Sequence, residues 1–328
     1  MPFSRPENYA TGVLAPIPAA ALARMEQQLR RVVRTAGDSI RLVLIALLAD
    51  GHVLIEDVPG VGKTTLAQAV SRLLAGSFQR IQFTSDLLPS DVTGISIYNQ
   101  GRQQFEFHPG PIFANVVLAD EINRTTPKTQ SALLEAMSER QVTVDNASHE
   151  LPRPFVVIAT QNPVEHHGTY PLPESQLDRF LLRVRMGYPP KADEKAILLG
   201  QAGNSLLPEI TPVLDPAQAI ELQQLVRQVR VDDALVEYEL QLVEATRRHP
   251  ALRLGVSPRG AAMLHRAAQA AALLDGRDYC VPQDFKRLAV AAFAHRVALG
   301  TQYGPGNLQS EAADLILAEI RDAVPVPE

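Results

Sequence analysis

An α/β domain built on a parallel sheet, followed by an all-α domain, is the architecture this sequence predicts. Two observations point to it. Up to about residue 186 the chain alternates short apolar, β-branched runs with stretches of helical periodicity. At Gly187-Tyr188-Pro189-Pro190 the strand signals stop and helical patterns take over, which sets the domain boundary. The expected division is a flexible arm over 1–18, an α/β domain over 19–187 and a helical domain over 188–328.

The stretch from Val53 to Thr65 organises the rest. Val53-Leu54-Ile55 reads as a buried strand, which turns through Pro59-Gly60-Val61-Gly62 into Lys63-Thr64-Thr65. Leu66, Ala69, Val70, Leu73 and Leu74 then fall at helical spacing up to Gly76. Strand, glycine-rich turn, Gly-Lys-Thr and helix form the context of a phosphate-binding P-loop. Gly60 and Gly62 let backbone N–H groups curl around an anion, Lys63 adds a mobile charge, and the helix N-terminus adds its dipole. Thr64 would place a hydroxyl on Mg²⁺. Asp57 stands where the strict pattern has glycine, and its carboxylate is expected to point away from the phosphates.

The remaining elements follow in order. The four prolines of residues 1–18 read as a loose arm. Leu22, Met25, Leu29 and Val32 mark an amphipathic helix over 19–36, which Gly37 would end. Asp38 or Ser39 would cap the next helix, to about Asp50. Further strands are expected at Phe78–Phe83, at Asn115–Ala119 before the carboxylates Asp120 and Glu121, at Phe155–Thr160 and at Leu181–Met186, making five in all. Two hairpins interrupt the pattern, one around Asn99-Gln100-Gly101-Arg102 and one around residues 145–149. In the helical domain, Asp215-Pro216-Ala217-Gln218 is a capping box, and helices are expected at about 216–229, 233–248, 258–275 and 282–299.

Composition narrows the function. Apolar residues make up 46% and charged residues 20% of 328, enough for a substantial core. A net charge of -5 argues against a nucleic-acid coat protein. Cys280 stands alone, so no intrachain disulfide or cysteine metal cluster can form. The longest apolar run, Leu42 to Ala49, falls short of the ~20 residues of a membrane span, and the N-terminus has no signal core. A cytoplasmic protein is expected.

Beside a P-loop, a strand delivering Asp120 and Glu121 makes chemical sense. Asp120 would hold Mg²⁺ through its water shell, and Glu121 would take the proton from a water attacking the γ-phosphate. Asn162, at the end of the neighbouring strand, could align that water. Arg179 and Arg259 are the arginines to aim at phosphate, although either could instead form a surface ion pair.

Together these blocks carry a resemblance. Glu56-Asp57-Val58-Pro59-Gly60-Val61-Gly62-Lys63-Thr64, Asp120-Glu121-Ile122-Asn123-Arg124, Ala159-Thr160-Gln161-Asn162-Pro163, Gly168-Thr169-Tyr170-Pro171-Leu172-Pro173-Glu174 and Leu177-Asp178-Arg179-Phe180 resemble the MoxR family of AAA+ ATPases. The resemblance spans roughly residues 20–300 and includes Gln130 to Met137. It implies an AAA+ domain with hairpins inserted in helix 2 and before sensor 1, then an α-helical lid. Carried over by motif, Pro59 to Thr65 bind ATP, Thr64 and Asp120 serve Mg²⁺, Asn162 is sensor 1, Arg179 the arginine finger and Arg259 sensor 2. A finger offered to the neighbouring subunit implies a ring, typically a hexamer; whether Arg259 acts in its own subunit or a neighbour's stays open. His166-His167 stands where family members often carry Gln or Glu. The family's work is chaperone-like remodelling, complex assembly or metal-cofactor activation of a protein client, commonly with a von Willebrand A domain partner.

Two other readings compete with the ATPase motor. One is a slow nucleotide-dependent assembly switch with little turnover. The other is a nucleic-acid translocase or GTP-driven motor, against which stand the acidic balance and the absence of an Asn-Lys-x-Asp motif.

Overall fold

The computed structural model describes residues 18–35, 38–162, 169–300 and 307–327. The expected arm, save Pro18, the stop at Gly37 and the His166-His167 pair lie outside the described residues. Two helices, α1 (Pro18–Val32) and α2 (Ser39–Leu48), precede the strand β1 (Val53–Glu56), and α3 (Lys63–Leu73) follows it. Then come β2 (Phe78–Gln82), the short α4 (Pro89–Thr93) and a hairpin of β3 (Gly94–Asn99) and β4 (Gln104–Pro109). The chain continues through β5 (Val116–Asp120), α5 (Pro127–Glu139), a second hairpin of β6 (Gln141–Val144) and β7 (Ala147–Glu150), and β8 (Val156–Gln161). One helical turn, α6 (Glu174–Leu177), leads to β9 (Leu182–Val184).

A parallel five-stranded sheet forms in the order β2-β5-β8-β1-β9. Because β1 is hydrogen-bonded on both edges and covered on both faces, Val53, Leu54 and Ile55 are all fully buried. Alternate residues serve opposite cores. Val53, Ile55, Val116, Leu118 and Ile158 meet α1, α2, α3 and the helical region. Leu54, Val117, Ala119, Val157 and Ala159 meet α5.

Both hairpins form where the sequence places them, outside the main sheet. Gly94 turns the chain into the first at φ +95, and an added Cβ would sit 2.3 Å from the His108 carbonyl oxygen, so only glycine fits. The hairpins touch through Phe107 and His149, whose rings stack with centroids 3.8 Å apart.

After β9 follow α7 (Lys191–Leu198), a 3-10 segment (Gly203–Glu209), α8 (Pro216–Val226), α9 (Asp233–Arg248), β10 (Leu252–Leu254), α10 (Pro258–Leu274), α11 (Pro282–Phe293), β11 (Ala298–Leu299) and α12 (Asn307–Ala323). The capping box at Asp215 is present in both directions, with Gln218 N donating to Asp215 and Asp215 N to Gln218. Asp38 occupies the N-cap position of α2 without a side-chain cap bond; its carboxylate meets Arg287 instead.

Helix α11 stops at Phe293, short of the expected 299. His295 Nε2 sits 2.9 Å from the Phe180 carbonyl oxygen and Arg296 reaches the same carbonyl, a demand from the neighbouring domain that a continued helix would not meet. Residues Ala298–Leu299 then pair with β10, so this mostly helical region carries one two-stranded ribbon. It also shares its core with α1 to α3 and one face of the sheet.

Candidate nucleotide site

The loop after β1 bends through Gly60 at φ +86 and Gly62 at φ +91, left-handed conformations that glycine adopts without penalty. Lys63 opens α3, and its Nζ donates to the Asp57 carbonyl oxygen at 2.5 Å across the loop. Burial lowers the Lys63 pKa, opposed by the charges of Asp57, Asp120 and Glu121. The Asp57 carboxylate indeed turns away: it accepts the N–H groups of Val58, Met186 and Gly187.

A polar cavity of about 400 Å³ is lined by Pro59, Gly60, Gly62, Lys63, Thr64, Thr65, Asp120, Glu121 and Asn162. Its neighbour, of about 380 Å³, shares Gly60, Gly62, Thr65 and Asn204 with it and is walled by Val32, Val33, Val61, Pro189 and Ile197. The two suit the phosphate and base ends of a nucleotide, respectively.

At the end of β5 the carboxylates are held in place by their neighbours. Thr160 Oγ1 donates to Asp120 Oδ1 at 2.6 Å and accepts the Glu121 N–H at 2.9 Å. Arg80 Nη2 lies 2.6 Å from Asp120 Oδ2. Glu121 has φ 57, and its Oε2 accepts from Gln82 Nε2 at 2.8 Å with Arg124 Nε 3.2 Å away. No cluster of three or more His, Cys, Asp or Glu side chains able to hold a metal occurs among the described residues. The oxygens of Thr64 and Asp120 in the polar cavity nevertheless suit Mg²⁺, which takes few protein ligands and keeps water and phosphate oxygens.

Arg179 and Arg259 line neither cavity. Arg179 Nη1 donates to the Leu134 carbonyl at 2.6 Å and to Ser138 Oγ at 2.7 Å, while its Nε is buried without a hydrogen-bond partner. Arg259 is exposed in the first turn of α10.

Four contributors escaped the sequence reading. Arg80 and Gln82 lie on β2, whose register puts Gln82 beside Asp120; knowing the strand order would have exposed them. Thr160 precedes Asn162 by two residues. Asn204, whose Oδ1 accepts from Thr65 Oγ1 at 2.6 Å, sits in a 3-10 segment with no pattern to find it by.

A parallel sheet with a lysine-closed glycine loop after β1, carboxylates at the end of β5 one strand removed, and a following helical region define a P-loop ATPase fold of the AAA class. Residues 52–182 match the family described as ATPase family associated with various cellular activities (AAA), and residues 244–318 match the AAA lid domain. Chaperone MoxR1 of Mycobacterium tuberculosis is 40% identical over 303 residues, covering 90% of this chain and 79% of that protein. Uncharacterized protein YeaC of Bacillus subtilis is 52% identical over 306 residues, 93% and 95% of the two chains. A crystal structure of a candidate ATPase from Cytophaga hutchinsonii superposes with a TM-score of 0.83 at 35% identity, over 94% of this chain and 96% of that one. The chain belongs to the MoxR family of AAA+ ATPases. No helix among the described residues is long and apolar enough to cross a membrane.

Proposed function

We propose that this chain hydrolyses ATP with Mg²⁺ and uses the cycle to remodel, assemble or activate a protein client from within a homo-oligomeric ring. The observation that carries the reading is one cavity lined by Lys63, Thr64, Asp120, Glu121 and Asn162, delivered by β1, β5 and β8. Lys63 exchanges the Asp57 carbonyl for the β- and γ-phosphates. Glu121 accepts the proton of the attacking water, and Asn162 orients that water. Mg²⁺, when bound at Thr64 and Asp120, neutralises developing phosphate charge.

The two arginines belong to a shared face. Asp178, next to Arg179, accepts from Arg296 Nε at 2.9 Å and from Ser257 Oγ at 3.1 Å, and Ser257 caps the helix that carries Arg259. The segments that carry Arg179 and Arg259 are thus bonded to each other while neither arginine lines the cavities of its own chain, and in this reading Arg179 serves the neighbouring subunit's ATP. The ring is taken to be a hexamer, in the cytoplasm, with a von Willebrand A domain protein as its partner.

A second reading, the slow assembly switch, draws on Gln82 and Arg124 holding Glu121. Phosphate release measured with Mg²⁺, with and without a co-purifying partner, separates the two. Steady turnover abolished in Glu121→Gln supports the motor, whereas tight ATP binding with no multiple turnover in either condition supports the switch.

A further inference from the structure

Asp57 occupies a position where the P-loop pattern carries glycine, and the structure gives it two attachments. Its carbonyl oxygen accepts from Lys63 Nζ at 2.5 Å. Its carboxylate Oδ2 accepts the Met186 N–H at 2.6 Å and the Gly187 N–H at 2.7 Å, where the chain leaves β9 for the helical region. Gly187 has φ +66, and two residues further on Pro189 lines the apolar cavity. A single residue thus bonds the phosphate-seeking lysine through its backbone and the start of the lid linker through its side chain.

The preceding residue repeats the arrangement. Glu56 Oε2 accepts from Arg183 Nη1 at 3.1 Å and from Ser310 Oγ at 3.0 Å, and Arg183 also pairs with Asp314 of α12. Its other oxygen accepts from the Gln161 amide, beside Asn162. Both carboxylates at the end of β1 therefore tie the loop to elements that belong to, or lead into, the lid. A carboxylate serving only to close a loop would need no N–H from the domain linker.

We infer that Asp57 is a positioning residue that couples nucleotide occupancy of the P-loop to the lid linker. The inference rests on the ATP reading above. When phosphates draw Lys63 off the Asp57 carbonyl, the peptide is free to rotate, and the carboxylate passes that change to the N–H groups of Met186 and Gly187.

The informative variant is Asp57→Gly, because glycine is what the P-loop pattern itself places there, so the phosphate cradle survives while the carboxylate goes. Hydrogen–deuterium exchange is followed at residues 185–188, without nucleotide and with a non-hydrolysable ATP analogue, beside analogue affinity and kcat. In the wild type, analogue binding should change exchange at Met186 and Gly187. In Asp57→Gly those amides should exchange rapidly with or without analogue, affinity should stay within about twofold, and kcat should fall on the order of tenfold. Asp57→Asn, which keeps the shape and one acceptor oxygen, should fall between the two. Wild-type linker exchange that ignores the analogue while the analogue demonstrably binds would overturn the coupling and leave the ATP reading standing. So would an Asp57→Gly protein that responds and turns over as the wild type does. Failure of the wild type to bind the analogue at all would overturn both.

Discussion

Arg296 Nε donates to Asp178 Oδ1 at 2.9 Å, and this ion pair, with an arginine side chain only 1% exposed, clamps the helical region onto the segment that carries Arg179. A buried pair of this kind is costly to break, since the surviving charge stays in a dry site. Asp178→Ala is therefore expected to lower unfolding free energy by about 3–5 kcal/mol in urea denaturation. Arg179→Ala, whose side chain meets no such charged partner among the described residues, should lose far less. Equal losses would show that the clamp does not depend on the ion pair.

Lys63 brings a positive charge to the polar cavity, which Arg80 also lines. Lys63→Ala should reduce binding of a fluorescent ATP analogue at least tenfold, on the order of a lost charge-assisted contact. Unchanged affinity would remove the P-loop from the binding account.

Glu121→Gln should bind the analogue normally and lower phosphate release on the order of 10²-fold, the scale of a lost general base. Near-normal release would place the base elsewhere.

Acid should weaken the fold through His52. Its Nδ1 accepts the Val157 N–H at 3.0 Å while Nε2 lies 3.1 Å from the Met137 carbonyl oxygen, so the neutral tautomer protonated on Nε2 satisfies both. Burial pushes its pKa down to about 3 from 6.5. With the folded value below the unfolded one, protons favour the unfolded chain. The stability involved is complete above about pH 6.5 and drains as pH falls toward 3, by at most ~1.4 kcal/mol per pH unit for one histidine. His295, buried and likewise lowered, adds in the same direction. Urea midpoints should drop between pH 7 and pH 5, and His52→Gln, though less stable, should show the shallower slope. Parallel slopes would exclude His52 as a cause.

How far the sequence could be read follows from which forces are local. The strands β1, β5 and β8 were legible because each is an apolar run buried on both faces that ends in polar residues, whereas β2 mixes Phe78 and Ile81 with polar residues and is mostly exposed. The hairpins were legible from Asn99-Gln100-Gly101-Arg102 and the polar turn at 145–149, and the caps at Asp215 and Ser257 from side chains that bond within three residues. Helix α7 has no buried residue and so no apolar period to detect. The end of α11 was misplaced because the cause, the Phe180 carbonyl, lies more than a hundred positions away. Arg80 and Gln82 become neighbours of Asp120 and Glu121 only once β2 is known to pair with β5.

The proposed active site is shared between subunits, with Glu121 from one chain and Arg179 from the next. It is tested most directly by titrating Arg179→Ala into Glu121→Gln at fixed total protein and measuring phosphate release. Each parent should be nearly silent, since an arginine finger is worth roughly 10³–10⁵ in rate. Mixed rings regain interfaces where an intact Glu121 faces an intact Arg179, so release should rise from both ends of the titration to a maximum near equal proportions. A flat, silent titration, with mixed rings verified by crosslinking, would contradict the shared site.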